Sequence, residues 1–431
     1  MAKDKYKAIP SVTGRMTPVV VDRAEGSWFW TKEGDKWLDM AVGIAVVNTG
    51  HTHPKVIAAA KEQMDKIVHA QANMFYCDTV VDAANKILEI VPGNLDNVMF
   101  VNSGAEACEN AVKLAKQTTK RPVTIAFKGA FHGRTHLCMA LTCSKAQYRG
   151  YYEPLPAGIY HARYAYPYRT PASEDPVDYA ISDLRKVITT ECWPDQVASI
   201  LIEPIQGEGG FIVPPAEFMR EVRKIADEIG ALLIIDEIQA GFGRTGKWFC
   251  MEHYGVTADI VTIAKGIASG FPLSAIVSKS EYFDKCKPGT MGGTYGGNAV
   301  ACAASIAGID AIRDEGMMEN AAKQGEKLRA FFTDLQQKYP NIGDVRGMGL
   351  MDAIEIVKPG TKEPDPAATA AFKNACIERK VLTLVCGMFD NCVRFLPALN
   401  IEDAAMDYAM GVWEEAAQVA FGTGGKTTLG K

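Results

Sequence analysis

Two short apolar runs, ALLIID (231–236) and DIVTIAK (259–265), each end on a charged side chain. Runs this apolar and this short read as strands buried on both faces, so the chain must fold around a largely parallel sheet sheathed in helices. Asp236 and Lys265 then lie where strands run out, the edge at which open α/β sheets bind ligands. A charge carried to that depth must be paired or neutralised. A carboxylate and an amine on successive strand ends suit pyridoxal phosphate (PLP): one keeps the pyridine nitrogen protonated, the other forms a Schiff base with the aldehyde. On these two residues alone, an acidic strand cap and a surface lysine explain the pattern equally well.

The remaining sequence narrows the class. With 431 residues, 48% of them hydrophobic, the chain can bury more than one core. A formal net charge of −5 gives no basic field, so nucleic acid and anionic membranes are not expected partners. Eleven cysteines, none in a CxxC pair, point to a reducing compartment. MAKDKYKAIP lacks the apolar core of a signal peptide, and no apolar run reaches membrane-spanning length. A cytoplasmic protein is expected.

Residues 1–63 read as an arm and part of a small domain, with Gly34-Asp35 turning a hairpin between two Trp-bearing runs. His51 and His53 follow in NTGHTHP; no acidic or sulfur ligand stands at a familiar spacing, so they are read as turn structure, and no metal set is expected. Residues 64–325 alternate helical and β-rich segments and form the large domain. Residues 326–431 form a C-terminal small domain, with a single strand over 344–356, another in the run 393–418 ahead of its final helix, and a disordered tail at 422–431. Residues 144–180, rich in Tyr, Pro and Arg, read as an irregular excursion.

Within the large domain, DNVMFVNSG (96–104) turns a strand into a helix. Ser103 with Glu106 resembles a capping box, and the small residues Ser103, Gly104 and Ala105 leave amides open to an anion such as phosphate. Any tight strand-to-helix turn shows the same. Phe131 could stack on a planar ring and Arg134 could take a carboxylate, although packing and a surface ion pair serve as well. Glu203 ends another apolar run, and Glu208 sits among glycines that let backbone approach a ligand. GTMGGTYGGN (289–298) can wrap an anion through its amides and Thr294, or be a plain flexible loop.

From GIAVVNTGHTHP through NSGAEACENAVKLA, FHGRT, EPIQGEGG, IIDEIQAGFGRTG, ADIVTIAKGIASGFPL, GGTYGGN and VRGMGL to VRFLP, the chain resembles the class III, fold-type I PLP-dependent aminotransferases, and within them the 4-aminobutyrate branch. The resemblance implies a large domain with a mainly parallel seven-stranded sheet and a smaller α+β domain made from both chain ends. It implies Lys265 as the Schiff-base lysine, Asp236 as partner of the pyridine nitrogen, and Gln239 as a hydrogen-bond donor near the ring hydroxyl. Ser103, Gly104 and Ala105 would hold the phosphate, joined by Thr294 from the neighbouring subunit of a homodimer or dimer of dimers. Many relatives carry Ser at the position of Ala105, and some carry Tyr at that of Phe131. On the substrate side it implies Ile44 against the chain of the amino acid and Arg134 on the distal carboxylate. Arg394 would take an α-carboxylate, Glu208 would neutralise Arg394 when the substrate has none, and Glu203 would support them. The reaction implied is transamination of an ω-amino acid, 4-aminobutyrate first, with 2-oxoglutarate as acceptor, giving succinate semialdehyde and glutamate. The alternatives are 5-aminovalerate, acetylornithine or a related amine as donor, or a racemase or epimerase on the same scaffold.

Overall fold

The computed structural model describes residues 8–422. The tail expected at 422–431 therefore lies, past Gly422, outside the described residues. Strands β1 (Val21–Glu25), β2 (Trp28–Thr31) and β3 (Lys36–Asp39) make an antiparallel meander, with Gly34 in the turn of the hairpin between β2 and β3. The central sheet follows with β4 (Asn97–Val101), β5 (Val123–Phe127), β6 (Ile159–Ala162), β7 (Val197–Ile202), β8 (Leu232–Asp236), β9 (Ile260–Ile263) and β10 (Ser274–Ser278). Its order is β4-β10-β9-β8-β7-β5-β6, and β10 runs antiparallel to both neighbours while the other pairs are parallel.

The apolar runs fill this sheet for a physical reason visible residue by residue. Every side chain of β7 and β8 is buried. Leu201, Leu232 and Ile234 point to one face, beneath helix Gly104–Thr119, whose Ala107, Ala111, Leu114 and Ala115 form its apolar side. Ile200, Ile202, Leu233 and Ile235 alternate to the other face and join the larger core that continues into the C-terminal part. Each such side chain contributes about 1.5–3 kcal/mol of burial, which is why period-two alternation is fixed even though both faces are apolar.

The chain closes with β11 (Ile342–Met348), β12 (Met351–Ile356), β13 (Val381–Leu382), β14 (Leu384–Cys386) and β15 (Cys392–Phe395), and a last helix, Asp403–Phe421. Four of these strands form an antiparallel sheet in the order β11-β12-β15-β14, while β13 pairs in parallel with β3, so the two chain ends share a sheet. Two expectations are corrected. The single strand read over 344–356 is a hairpin, bent at Gly349, which has φ +56 and whose added Cβ would stand 2.4 Å from the Thr245 backbone. The excursion at 144–180 contains β6, which pairs with β5 at the sheet edge, and the start of helix Pro176–Thr190; IYHA is too short and too flanked by Gly and Pro to announce a strand. His51 and His53 do not converge: His51 bonds Asp39 at 2.8 Å and His53 bonds Glu315 at 3.1 Å. No helix among the described residues is long and apolar enough to cross a membrane.

Candidate active site

Asp236 is the last residue of β8 and faces Thr262 on β9, while Lys265 follows β9 by two residues in a one-turn 3-10 helix with φ +51. Their strand ends open on a cavity of about 400 Å³. Ser103, Gly104, Ala105, Phe131, Glu203, Glu208, Asp236, Gln239 and Lys265 all line it. Ile44, Arg134, Thr294 and Arg394 do not. Arg394 stands directly behind the lining Glu208 as its ion-pair partner. Ile44 is two residues from the lining Val46, Arg134 is exposed in the loop before helix His136–Leu141, and Thr294 is exposed in the glycine-rich loop.

Asp236 is 4% exposed and held by three donors. Its Oδ2 accepts from His132 Nδ1 at 2.7 Å and from Cys108 Sγ at 3.4 Å, and its Oδ1 from the Ile238 amide at 3.1 Å. The Lys265 amine is pushed down to about 8, by burial first and then by the Arg394 charge, so a neutral, nucleophilic fraction exists near neutral pH. Glu203 spends both oxygens on backbone: Oε1 accepts from Phe131 N and Oε2 from Gly207 N, each at 2.8 Å. It therefore ties the aromatic that lines the cavity to the loop that carries Glu208. Burial pushes its carboxyl up to about 7. Burial alone would also raise Glu208, but the Arg394 guanidinium outweighs it and holds that carboxyl below the usual range. Gly387 N donates to Glu208 O, and Arg346 grips Gly210 O through Nε at 3.0 Å and through an Nη at 2.6 Å, so the loop is fastened on both sides.

The lining fits PLP on its own chemistry. The amides of Gly104 and Ala105 open helix Gly104–Thr119 and have no partner among the described residues, a ready seat for a phosphate. The capping box forms with a shift: Ser103 Oγ accepts from Glu106 N at 3.3 Å, while the Glu106 carboxylate turns to Asn102 N at 2.6 Å. Gln239 Oε1 is buried beside the cavity with no partner among the described residues, so the amide turns an unmet acceptor to the site where a donor was expected. A buried carboxylate, an unsatisfied amide oxygen, a cavity-lining aromatic, a depressed amine and a helix N-terminus match in turn a ring nitrogen, a ring hydroxyl, a ring face, an aldehyde and a phosphate.

Three polar groups escaped sequence reasoning. His132 lies in FHGRT between two residues that were read, but a histidine among glycines reads as turn. Cys108 falls on the apolar side of its helix and reads as packing. Glu237, next to Asp236, is wholly buried and accepts from Cys250 N at 3.0 Å and Met251 N at 2.7 Å; burial pushes it up to about 8.

Comparison with known proteins follows the same line. The family described as Aminotransferase class-III matches residues 9–416. The chain is 40% identical over 418 residues to the 5-aminovalerate aminotransferase DavT of Pseudomonas putida, covering 96% of this chain and 97% of that one. It is 39% identical over 420 residues to the 4-aminobutyrate aminotransferase GabT of Escherichia coli, covering 96% and 98%. Among solved structures, an (S)-enantioselective omega-transaminase from Thermomicrobium roseum superposes with a TM-score of 0.88 at 31% identity over 94% of each chain.

Proposed function

Because the chain belongs to the class III aminotransferases and is a PLP-dependent enzyme that transaminates ω-amino acids, we propose that its donors are 5-aminovalerate and 4-aminobutyrate and its acceptor 2-oxoglutarate. The observation that carries this reading is the buried ion pair between Arg394 and the cavity-lining Glu208. A donor whose only carboxylate lies far from its amine leaves Arg394 to Glu208. A 2-oxo diacid brings a carboxylate of its own for Arg394, and Glu208 yields. One site thus accepts two substrates of different charge without stranding a guanidinium. Expectation put 4-aminobutyrate alone in first place; the two relatives above are named for donors one methylene apart, and one methylene is worth only about 1–3 kcal/mol of discrimination. 5-Aminovalerate therefore stands beside it.

Bound PLP supplies a carbonyl that takes up the donor nitrogen and a ring that withdraws the electrons left when the adjacent proton departs. The chain does the rest. Lys265 Nζ, depressed to about 8, removes that proton and returns it at the neighbouring carbon. Asp236, held by His132, Cys108 and Ile238 N, keeps the ring nitrogen protonated. Gly104 and Ala105 amides would hold the phosphate, with Ser103 fixing the turn, while Phe131 would cover the ring and Gln239 would meet its hydroxyl. Ile44 borders the donor's methylenes and Arg134 takes its distal carboxylate. Glu203 acts here through backbone, keeping Phe131 and the Glu208 loop in register.

We also assign a homodimer in which Thr294 completes the phosphate site of the second copy. Supporting it is an exposed apolar face containing Met74 (69% exposed), Phe75 (63%), Tyr76 (97%) and Tyr295 (65%), next to the glycine-rich loop that bears Thr294.

The test is a panel of half-reactions with purified protein, following the visible absorption of the bound cofactor. Donors are 5-aminovalerate, 4-aminobutyrate, β-alanine, acetylornithine, ornithine and L- and D-α-amino acids. Rapid conversion by the first two and restoration by 2-oxoglutarate are expected. Exchange of the α-proton of neutral amino acids, with change of hand and no 2-oxo acid required, would replace this reading with a racemase. Sedimentation of an active monomer would remove the Thr294 assignment.

A further inference from the structure

Helix Gly104–Thr119 does two things at the site. Its first amides face the phosphate seat, and one turn later Cys108, wholly buried and outside the cavity lining, backs the lining Asp236 with Sγ 3.4 Å from its Oδ2. That same oxygen accepts His132 Nδ1 at 2.7 Å. Burial, and then the charge of Asp236, push the Cys108 thiol well up, so it keeps its proton and donates. Packing needs no thiol here: the apolar side of the helix is built from Ala107, Ala111, Leu114 and Ala115, and a hydrocarbon would fill the space while leaving the carboxylate one donor short.

We propose that Cys108 is a positioning residue for the cofactor ring, its S–H bond tuning how strongly Asp236 competes for the proton on the ring nitrogen. The inference rests on the reading that Asp236 faces that nitrogen. The carboxylate and the ring nitrogen share one proton. A donor on Oδ2 drains charge from the carboxylate and makes it the weaker base, so the proton stays on nitrogen and the ring stays positive. A positive ring in turn lowers the pKa of the groups conjugated with it. Deleting the thiol donor lets the proton move toward Asp236 and raises that pKa. The other ionisable groups around Asp236 and Cys108, namely His132, Glu203, Glu237, Lys265 and Cys138, are the same in every variant, so differences between variants report position 108.

The experiment titrates the visible absorption of the holoenzyme, without substrate, against pH for wild type, Cys108→Ala, Cys108→Val, Cys108→Ser and Asp236→Ala. Alanine and valine bracket the volume of cysteine and neither can donate, so both should raise the midpoint together, by a few tenths of a pH unit. Serine restores a donor and should bring the midpoint back below both. Cofactor retention on dialysis should be the same in the three Cys108 variants, because the phosphate seat is untouched. Midpoints of Ala and Val equal to wild type, or a Ser midpoint grouped with Ala, would overturn the proposal. Asp236→Ala separates the two claims: it should give the largest upward shift, and if it gives none, the reading of Asp236 itself fails.

Discussion

Replacing Glu208 with glutamine keeps its size and removes its charge, which makes it a direct probe of the two-substrate switch. The Arg394 side chain is 2% exposed and its Nε has no partner among the described residues, so the guanidinium depends on Glu208 for neutralisation. Truncating one member of a buried charged pair costs about 2–5 kcal/mol, mainly the penalty of stranding the other. In Glu208→Gln that penalty is present in the free enzyme and persists in the complex with an ω-amino monocarboxylate, which offers Arg394 nothing, whereas a 2-oxo diacid brings a carboxylate that relieves it. Taking about 3 kcal/mol, the ratio of donor to 2-oxoglutarate kcat/KM should fall roughly 150-fold. Rapid mixing with each substrate separately, reading the cofactor absorption, measures the two constants. The pH dependence has a definite sign. Arg394 lowers the Glu208 carboxyl on balance, so the pair is intact at neutral pH and is lost as pH falls through that depressed value. The wild-type ratio of donor to 2-oxoglutarate kcat/KM should fall in acid for this reason, while Glu208→Gln should lack that limb. Equal losses in both half-reactions would refute the switch.

Two further outcomes follow from the same geometry. With the Lys265 amine pushed down to about 8, capture of PLP by the cofactor-free protein should rise about tenfold per unit as pH climbs toward 8 and then level off; a rate flat across that span would remove Lys265 as the capturing amine. Glu355, wholly buried, accepts from Arg346 at 2.8 Å, Arg169 Nε at 2.7 Å and Tyr166, so Glu355→Ala strands the Arg169 guanidinium and leaves Arg346 to Asp344. It should lower stability by about 3–5 kcal/mol, read as a clear fall in melting temperature, and an unchanged melt would show that the network contributes little.

What could be read from the sequence was what local chemistry encodes. The runs ending in Asp236 and Lys265 show their burial in their composition, and burial plus strand length locates a sheet edge. The hairpin at Gly34 and the helix opening at Gly104 carry their turn and cap residues with them. β10, β13 and β14 carried no such mark. SAIVS is buried by its neighbours in the sheet, and β13 and β14 are too short to show a period. Long motifs in order supplied the rest of the site by resemblance, because no local spacing brings Arg394 on β15 to Glu208 in a loop nearly two hundred positions earlier.

The segment around Ile44 shows why part of the site resists such reading even when its residues are named. Val42, Gly43, Ile44 and Ala45 all have positive φ, at +36, +69, +67 and +59, a left-handed turn in which two members are β-branched. Propensity argues against Val42, Ile44 and Ala45 there, since non-glycine residues lose about 1–2 kcal/mol apiece in that region. The turn is held from outside itself. Asp39 Oδ1 accepts from Ala41 N at 2.9 Å and from Val42 N at 2.8 Å, and Asp39 Oδ2 meets His51 at 2.8 Å. Strain that the surroundings over-determine is a means of fixing a side chain that loop flexibility would otherwise blur. The same logic joins Cys108, His132 and Asp236, three residues with unremarkable local sequence whose chemistry exists only once three segments meet. In this protein the strand ends announce where the cavity opens, and the contacts behind its lining are properties of the closed fold.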